Sequence, residues 1–177
     1  MCPRNPAASV CAVESPIIRR ARIADVAAIK RLVDADAGKV LLEKELVTLY
    51  EAVQEFWVAE LEGDVVGCGA LHVLWEDLAE IRTVAVDHTA RGHGIGHALV
   101  SALIDLARRL GLPRLFVLTF ETDFFSRHGF RAIDGAPVPE EVYEEMRRSP
   151  DTGVAEFLDL PFVKPNTLGN TRMLLEL

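Results

Sequence analysis

Seven consecutive residues, Arg91-Gly92-His93-Gly94-Ile95-Gly96-His97, have the make-up of an anion-binding turn. They stand between a β-branched run and a long amphipathic stretch, so they join a strand to a helix N-terminus. Such a turn aims several unpaired backbone N–H groups in one direction, and the helix dipole adds positive potential. Phosphate is the usual guest. Glycine lets the backbone approach it closely, and Arg91 can add a charge-assisted contact. Spacing excludes two phosphate loops. A Walker loop ends in Gly-Lys-Ser/Thr, whereas Gly96 is followed by His97 and Ala98. A dinucleotide fingerprint needs GxGxxG, and the sixth residue is His97 counted from Gly92 and Leu99 counted from Gly94. His93 and His97 are four apart, but no third ligand of suitable spacing is visible, so no metal is expected. Cys68 lies in mid-strand between Gly67 and Gly69. It lacks the strand-to-helix turn of a nucleophile elbow and reads as a small buried core residue.

The elements that must hold this turn alternate between strand and helix. Ile17–Arg22 is β-compatible. A helical stretch opens at Asp25, with Val26, Ile29, Leu32 and Val33 at helical spacing and Gly38 as its stop. Lys44–Ala52 is a second short helix. Glu55–Leu61, the turn Glu62-Gly63-Asp64, and Val65–Leu74 form a hairpin, and Leu78–Val86 continues it as a third antiparallel strand. After the glycine turn, Ile95, Ala98, Leu99, Ala102, Leu103, Leu106 and Leu110 mark one helix face, closed by Gly111 and Pro113. Arg114–Thr119 is a buried strand, Thr122–His128 a short helix stopped by Gly129, and Phe130–Ile133 another strand. Glu140–Arg148 is charged nearly all round and reads as a solvated helix. Pro161–Asn170 is irregular and would fold over the site as a lid or bridge to a last strand, Thr171–Leu177.

The chain has 177 residues, 27 Asp+Glu against 19 Lys+Arg, and a net charge of -8. That acid excess argues against a nucleic-acid or basic membrane-surface protein. No apolar run approaches the roughly 20 residues that span a bilayer. Cys2, Cys11 and Cys68 make no disulfide framework. The start does not read as a signal peptide, so a cytoplasmic location is expected. The expected organisation is a poorly ordered tail, 1–15, and one α/β domain, 16–177, with a core at 16–133 and an elaborated part at 134–177.

Arg-x-x-Gly-x-Gly between a strand and a long helix resembles the acetyl-CoA-binding motif of the GNAT acetyltransferase superfamily. The run "AEIRTVAVDHTARGHGIGHALVSALIDLAR" looks like that family's strand, pyrophosphate loop and helix, and "LFVLTFETDFFSRHGF" like the following strand and pantetheine-lining helix. The resemblance covers about Ile17 to Ile133. Within the superfamily, "VVGCGALHVLWEDLAEIRTVAV" is similar to the acetyltransferase part of bacterial N-acetylglutamate synthases, here in a stand-alone form. The resemblance implies a mixed, mostly antiparallel sheet that splays at the acetyl-CoA site and is flanked by helices. It implies transfer of acetyl from acetyl-CoA to the α-amine of glutamate or glutamine, the entry to arginine biosynthesis. Another small amine, a protein N-terminus, or a non-catalytic acyl-CoA sensor are the alternatives. A closed pocket with Arg82 inside would favour a carboxylate-bearing acceptor, and an open acidic groove a cationic one.

Acyl transfer needs a neutral amine, a stabilised oxyanion and a protonated leaving thiolate. A free amino acid's amine is mostly protonated at pH 7, and a carboxylate can take that proton. Glu80 matches the family's general-base glutamate; Glu76 and Asp77 are better suited to the turn. The resemblance places the oxyanion at backbone N–H groups around Thr83 and Val84, and pairs the pantetheine with Val84, Ala85 and Val86. It assigns Arg91, Gly92, His93, Gly94, Ile95, Gly96, His97 and Phe125 to the CoA site. Many members place a Tyr at the position of Phe125, and Phe cannot donate a proton. Thr119 is similar to a hydroxyl-bearing position of the N-acetylglutamate synthases, so the resemblance implies that Thr119 or a water protonates the thiolate, with Ser126 nearby; the alternative for Thr119 is a strand-end hydroxyl bonded to backbone. Arg82, Lys44 and Arg172 are candidates for the acceptor carboxylate. Strict alternation puts Arg82 on Glu80's face, and a bulge would change that. A homodimer is compatible with sheet edges that a partner covers.

Overall fold

Mostly apolar runs build the centre of the sheet, and helices with apolar residues at helical spacing cover both of its faces. The computed structural model describes residues 15–37, 41, 43–158, 160 and 169–177. The expectations for the tail, for Gly38 and for most of the 161–170 segment lie outside the described residues. The strands are β1 (Ile17–Arg20), β2 (Phe56–Leu61), β3 (Asp64–Trp75), β4 (Leu78–Val86), β5 (Arg114–Thr119), β6 (Arg131–Ala132) and β7 (Thr171–Glu176). The helices are α1 (Val26–Asp36), α2 (Leu46–Glu51), α3 (Ile95–Arg109), α4 (Thr122–Ser126), α5 (Glu140–Met146) and α6 (Thr152–Phe157). Among the described residues no helix is long and apolar enough to cross a membrane.

The strands form one sheet in the order β1-β2-β3-β4-β5-β7-β6. β4 and β5 are parallel and every other pairing is antiparallel. β4 carries the feature that makes the site. Ala70 faces Arg82 and Cys68 faces Ala85, so Gly69 stands opposite both Thr83 and Val84. Thr83 adopts φ 59°, a left-handed conformation that costs a β-branched residue energy. Pairing of β4 with β5 runs only from Leu78↔Arg114 to Glu80↔Phe116. Beyond Glu80 the two strands part, and the sheet splays without closing. The bulge begins after Arg82, so Glu80 and Arg82 keep a common face.

α3 packs on one face of the sheet with Leu71, Ala79, Ile81 and Val117, and α1 on the other with Cys68, Ala70 and Ala85. The glycines beside Cys68 have a packing reason. A Cβ at Gly67 would lie 3.0 Å from Leu99, and one at Gly69 would lie 3.1 Å from Leu103. Their absence lets α3 sit close to β3. Cys68 is fully buried and its thiol is pushed up to about 12 by desolvation, so it is inert.

Two packing expectations are corrected. Leu110, placed on the core face of α3, is 56% exposed, while Val100, Ile104 and Ala107 are buried. Leu110 is the residue that ends the helix, where the chain already turns away. α5 is not solvated all round. Met146 is buried, and Val142 and Tyr143 pack with Phe116, Phe157 and Leu158 in a third apolar cluster. Three apolar positions at i, i+1 and i+4 are enough to seat so short a helix. α6, which no periodicity in the sequence announces, supplies much of that cluster.

Candidate active site

The splay between β4 and β5 opens a cavity of about 750 Å³. Glu80 to Val86 form one wall and Val117 to Glu121 the other. The glycine turn, the start of α3 and α4 line its long arm, and Lys44, Gly153 and Glu156 line it beside Glu80.

In the long arm, Gly92 and Gly94 have φ of 83° and 76°. An added Cβ at either would meet nothing within 4 Å, so glycine is needed there for conformation and not for space. No side chain caps the N-terminus of α3, which leaves its first N–H groups for a ligand. Arg91 acts partly as a staple: it donates to Asp36 at 2.6 Å and to the Val86 carbonyl at 3.1 Å, tying the turn to α1 and β4. His97 stands 2.8 Å from His128, ring nitrogen to ring nitrogen, and packs 4.5 Å from the Phe124 ring. Burial, then the neighbouring His97 and Arg127, hold His128 below its ordinary pKa. Of the expected donor-site residues, Thr83, Val84, Ala85, Val86, Arg91, Gly92, Gly94, Ile95, Gly96, His97 and Phe125 all line the cavity. His93 does not. Its Nδ1 lies 3.0 Å from the Arg91 carbonyl and closes the turn on itself. Among the described residues no group of three or more His, Cys, Asp or Glu could hold a metal.

At the other end, Glu80 is buried and its Oε2 has no hydrogen-bond partner among the described residues. Desolvation pushes its carboxyl up to about 7, against the opposing pull of Arg82, His72 and Lys44, while Glu156 adds to the rise. Such a group takes a proton near neutral pH and releases it again. Arg82 also lines the cavity, but its guanidinium is engaged. It donates to Asp151 at 3.0 and 3.3 Å and to Glu55 at 3.2 Å, and Glu55 also contacts His72 at 2.9 Å. Lys44 lines the cavity without an ion pair among the described residues. Burial, then Arg82, lower its pKa. Arg172 lies outside the lining: it donates to the carbonyls of Phe157 at 2.6 Å and Glu156 at 2.9 Å, capping α6 from β7. Thr119 is buried on the wall, and its Oγ1 accepts the Glu121 N–H at 2.9 Å. A hydroxyl that accepts one bond still has its proton to give. Ser126 is exposed and away from the cavity.

The arm suits an elongated phosphate-bearing molecule laid along an open strand edge, with its far end brought to a carboxyl that titrates near neutrality. Residues 27–131 match the model of the Acetyltransferase (GNAT) family. The chain belongs to that family. As a GNAT protein it is an acetyltransferase that uses acetyl-CoA as donor. It is 70% identical over 165 residues to an amino-acid acetyltransferase of Mycobacterium tuberculosis, covering 92% of this chain and 95% of that one. A crystal structure of a M. tuberculosis protein in complex with CoA matches with a TM-score of 0.89 and 70% identity, over 92% of this chain and 99% of the other. The N-acetylglutamate synthase of Neisseria gonorrhoeae, complexed with coenzyme A and N-acetylglutamate, matches at TM-score 0.73 and 26% identity, over 93% of this chain and 35% of that one. An amino-acid acetyltransferase of Neisseria meningitidis serogroup A is 32% identical, and the chain spans 30% of its length.

Sequence reasoning missed several site residues of this GNAT chain: Glu55, His72, Asp151, Gly153 and Glu156. One signal was present. Asp151 follows a proline and caps α6, accepting the Val154 N–H at 3.0 Å, and Asp before a short apolar run is a helix-start pattern.

Proposed function

We propose that this acetyltransferase moves the acetyl group of acetyl-CoA to the α-amine of L-glutamate or L-glutamine, and that with glutamate the formation of N-acetylglutamate is the first step of arginine biosynthesis. The observation that carries the reading is the meeting of Glu80, buried with an unpartnered oxygen, and Lys44, a cation without an ion pair among the described residues, at one end of the donor cleft. An α-amino acid brings the complementary pair, an ammonium and a carboxylate. Glu80 takes the ammonium proton, and the freed amine attacks the thioester carbon directly. Backbone N–H groups near Thr83 and Val84, released by the bulge, receive the oxyanion. The C–S bond breaks, and the proton that the attacking nitrogen sheds reaches the thiolate through Thr119 or a water acting as a relay. Lys44 takes the acceptor's α-carboxylate, with Arg82 beside it. Glutamine asks for no second cation; the second carboxylate of glutamate must draw on Arg82, already shared by Asp151 and Glu55. Arg172 contributes by holding α6. A homodimer belongs to the same proposal, and sedimentation equilibrium reads it as twice the 19.5 kDa chain mass.

The test is an acetylation assay over a panel of amino acids, polyamines and N-terminal peptides. Turnover of glutamate or glutamine at least tenfold above the other amines is the expected outcome. Acetyl-CoA turnover with none of the amino acids, or with the polyamines alone, overturns it.

A further inference from the structure

α6 stands directly over the buried carboxylate. A Cβ at Gly153 would come within 3.9 Å of Glu80 Oε2 and 2.9 Å of an Arg82 nitrogen. Glu156 lies three residues further on, so it shares that face of the helix, and it lines the same cavity. Its side chain makes no ion pair among the described residues; its backbone carbonyl is the atom that Arg172 holds. Two carboxylates, one from the sheet and one from α6, therefore meet across one chamber with no hydrogen bond or salt bridge between them among the described residues. Like charges confined this way favour a cation between them.

We propose that Glu156 is the second acid of the acceptor subsite: a positioning residue that sets a second negative charge across from Glu80 and holds the incoming ammonium above it. This rests on the reading that an amine enters this end of the cleft. The proton leaves the ammonium for the Glu80 carboxylate; Glu156 exchanges none. The nitrogen lone pair then forms the new C–N bond as the C–S bond breaks. Other charges face the same chamber from every element packed on it. Of these only Arg82 and Lys44 line it; the others act from behind the wall, His72 from the sheet, Glu55 from the segment before β2, Asp151 from the cap of α6, and Arg172 from β7. Arg82 is neutralised by Asp151 and Glu55. Burial raises the Glu156 carboxyl, and Arg172 and Lys44 oppose the rise.

Two measurements on Glu156→Gln and Glu156→Asp separate this role from a structural one. The first is acceptor-free: carboxyl carbons of 13C-glutamate-labelled protein are titrated by NMR. The Glu80 midpoint is expected to fall by about half a pH unit or more in E156Q and to return toward the wild-type value in E156D. The second is steady-state kinetics, where E156Q raises the acceptor KM about tenfold and leaves the acetyl-CoA KM unchanged. A Glu80 midpoint identical in wild type and in both variants overturns the proposal. The titration needs no acceptor, so it decides the role of Glu156 even where glutamate and glutamine both fail in the acetylation assay. An E156Q protein that melts earlier but keeps the Glu80 midpoint shows a structural residue, which also overturns it.

Discussion

Glu80 is held where a carboxylate is least comfortable, and that discomfort is its usefulness. It is 7% exposed and its Oε2 lacks a partner among the described residues, so the ionised form is disfavoured and the midpoint rises from 4.5 to about 7. The proposed general base must be unprotonated, so kcat/KM is expected to climb with pH through about 7 and to fall on the acid side. Glu80→Gln should cost roughly 10²–10⁴ in kcat with acetyl-CoA binding intact. The same burial makes a stability prediction of opposite sense. The folded midpoint lies above the unfolded one, so the native state binds the extra proton between them. That stabilisation is complete below about 4.5 and is lost as pH rises through about 7. Glu80→Gln should therefore melt above wild type at pH 8.5 by an amount that shrinks at pH 5.5, the limit being on the order of 3 kcal/mol. Equal melting differences at the two pH values would remove the buried charge from the account. Glu80 is singled out in the sequence by its likeness to the family's general-base glutamate, on the strand that leads to the glycine turn. Glu156 and Asp151 are not, because nothing local marks them as reaching a strand 70 residues away.

Elements were legible where local pattern and tertiary role agree. β4 and β5 have the bounds read from their β-branched runs, and α3 those read from its apolar stripe. Two things stayed hidden. The bulge at Thr83 and Val84 depends on what faces it across the ladder, and α6, at six residues, is too short to display a helical period. Yet α6 and its cap supply Asp151 and Glu156, so the proposed acceptor end is finished by an element the sequence concealed. Its first turn is fitted tightly. A methyl group at Gly153 would lie 2.9 Å from both Arg82 Nη1 and Asp151 Oδ1, atoms at the ends of movable side chains. Gly153→Ala should therefore fold, since alanine favours a helix, but break the Arg82–Asp151 pair. The expected result is an acceptor KM about tenfold higher with the donor KM unchanged. A rise in the donor KM instead would place α6 over the wrong end of the cleft.

At the scale of the molecule, a net charge of -8 surrounds a site for an anionic donor. The balance argues against a nucleic-acid partner, yet it does not exclude phosphate, because capture is local. The N–H groups at the start of α3 are uncapped, and they act over a few ångströms, whereas the excess acid acts over the whole surface. Arg91 does little to offset that field, since Asp36 holds its guanidinium at 2.6 Å. The two ranges respond differently to salt. Between about 10 and 150 mM ionic strength the screening length falls from roughly 30 to 8 Å. Long-range repulsion is then removed while contacts between backbone N–H groups and phosphate persist. The acetyl-CoA association rate, followed by stopped-flow fluorescence, should rise a few-fold over that range, and the dissociation rate should change less. Arg91→Ala lowers the net charge by one further unit and bares Asp36 beside the turn, so the low-salt association rate should fall and the rise with salt should steepen. An association rate that instead falls steeply with salt would mean that side-chain cations steer the donor, and the turn would lose its place as the principal anion trap.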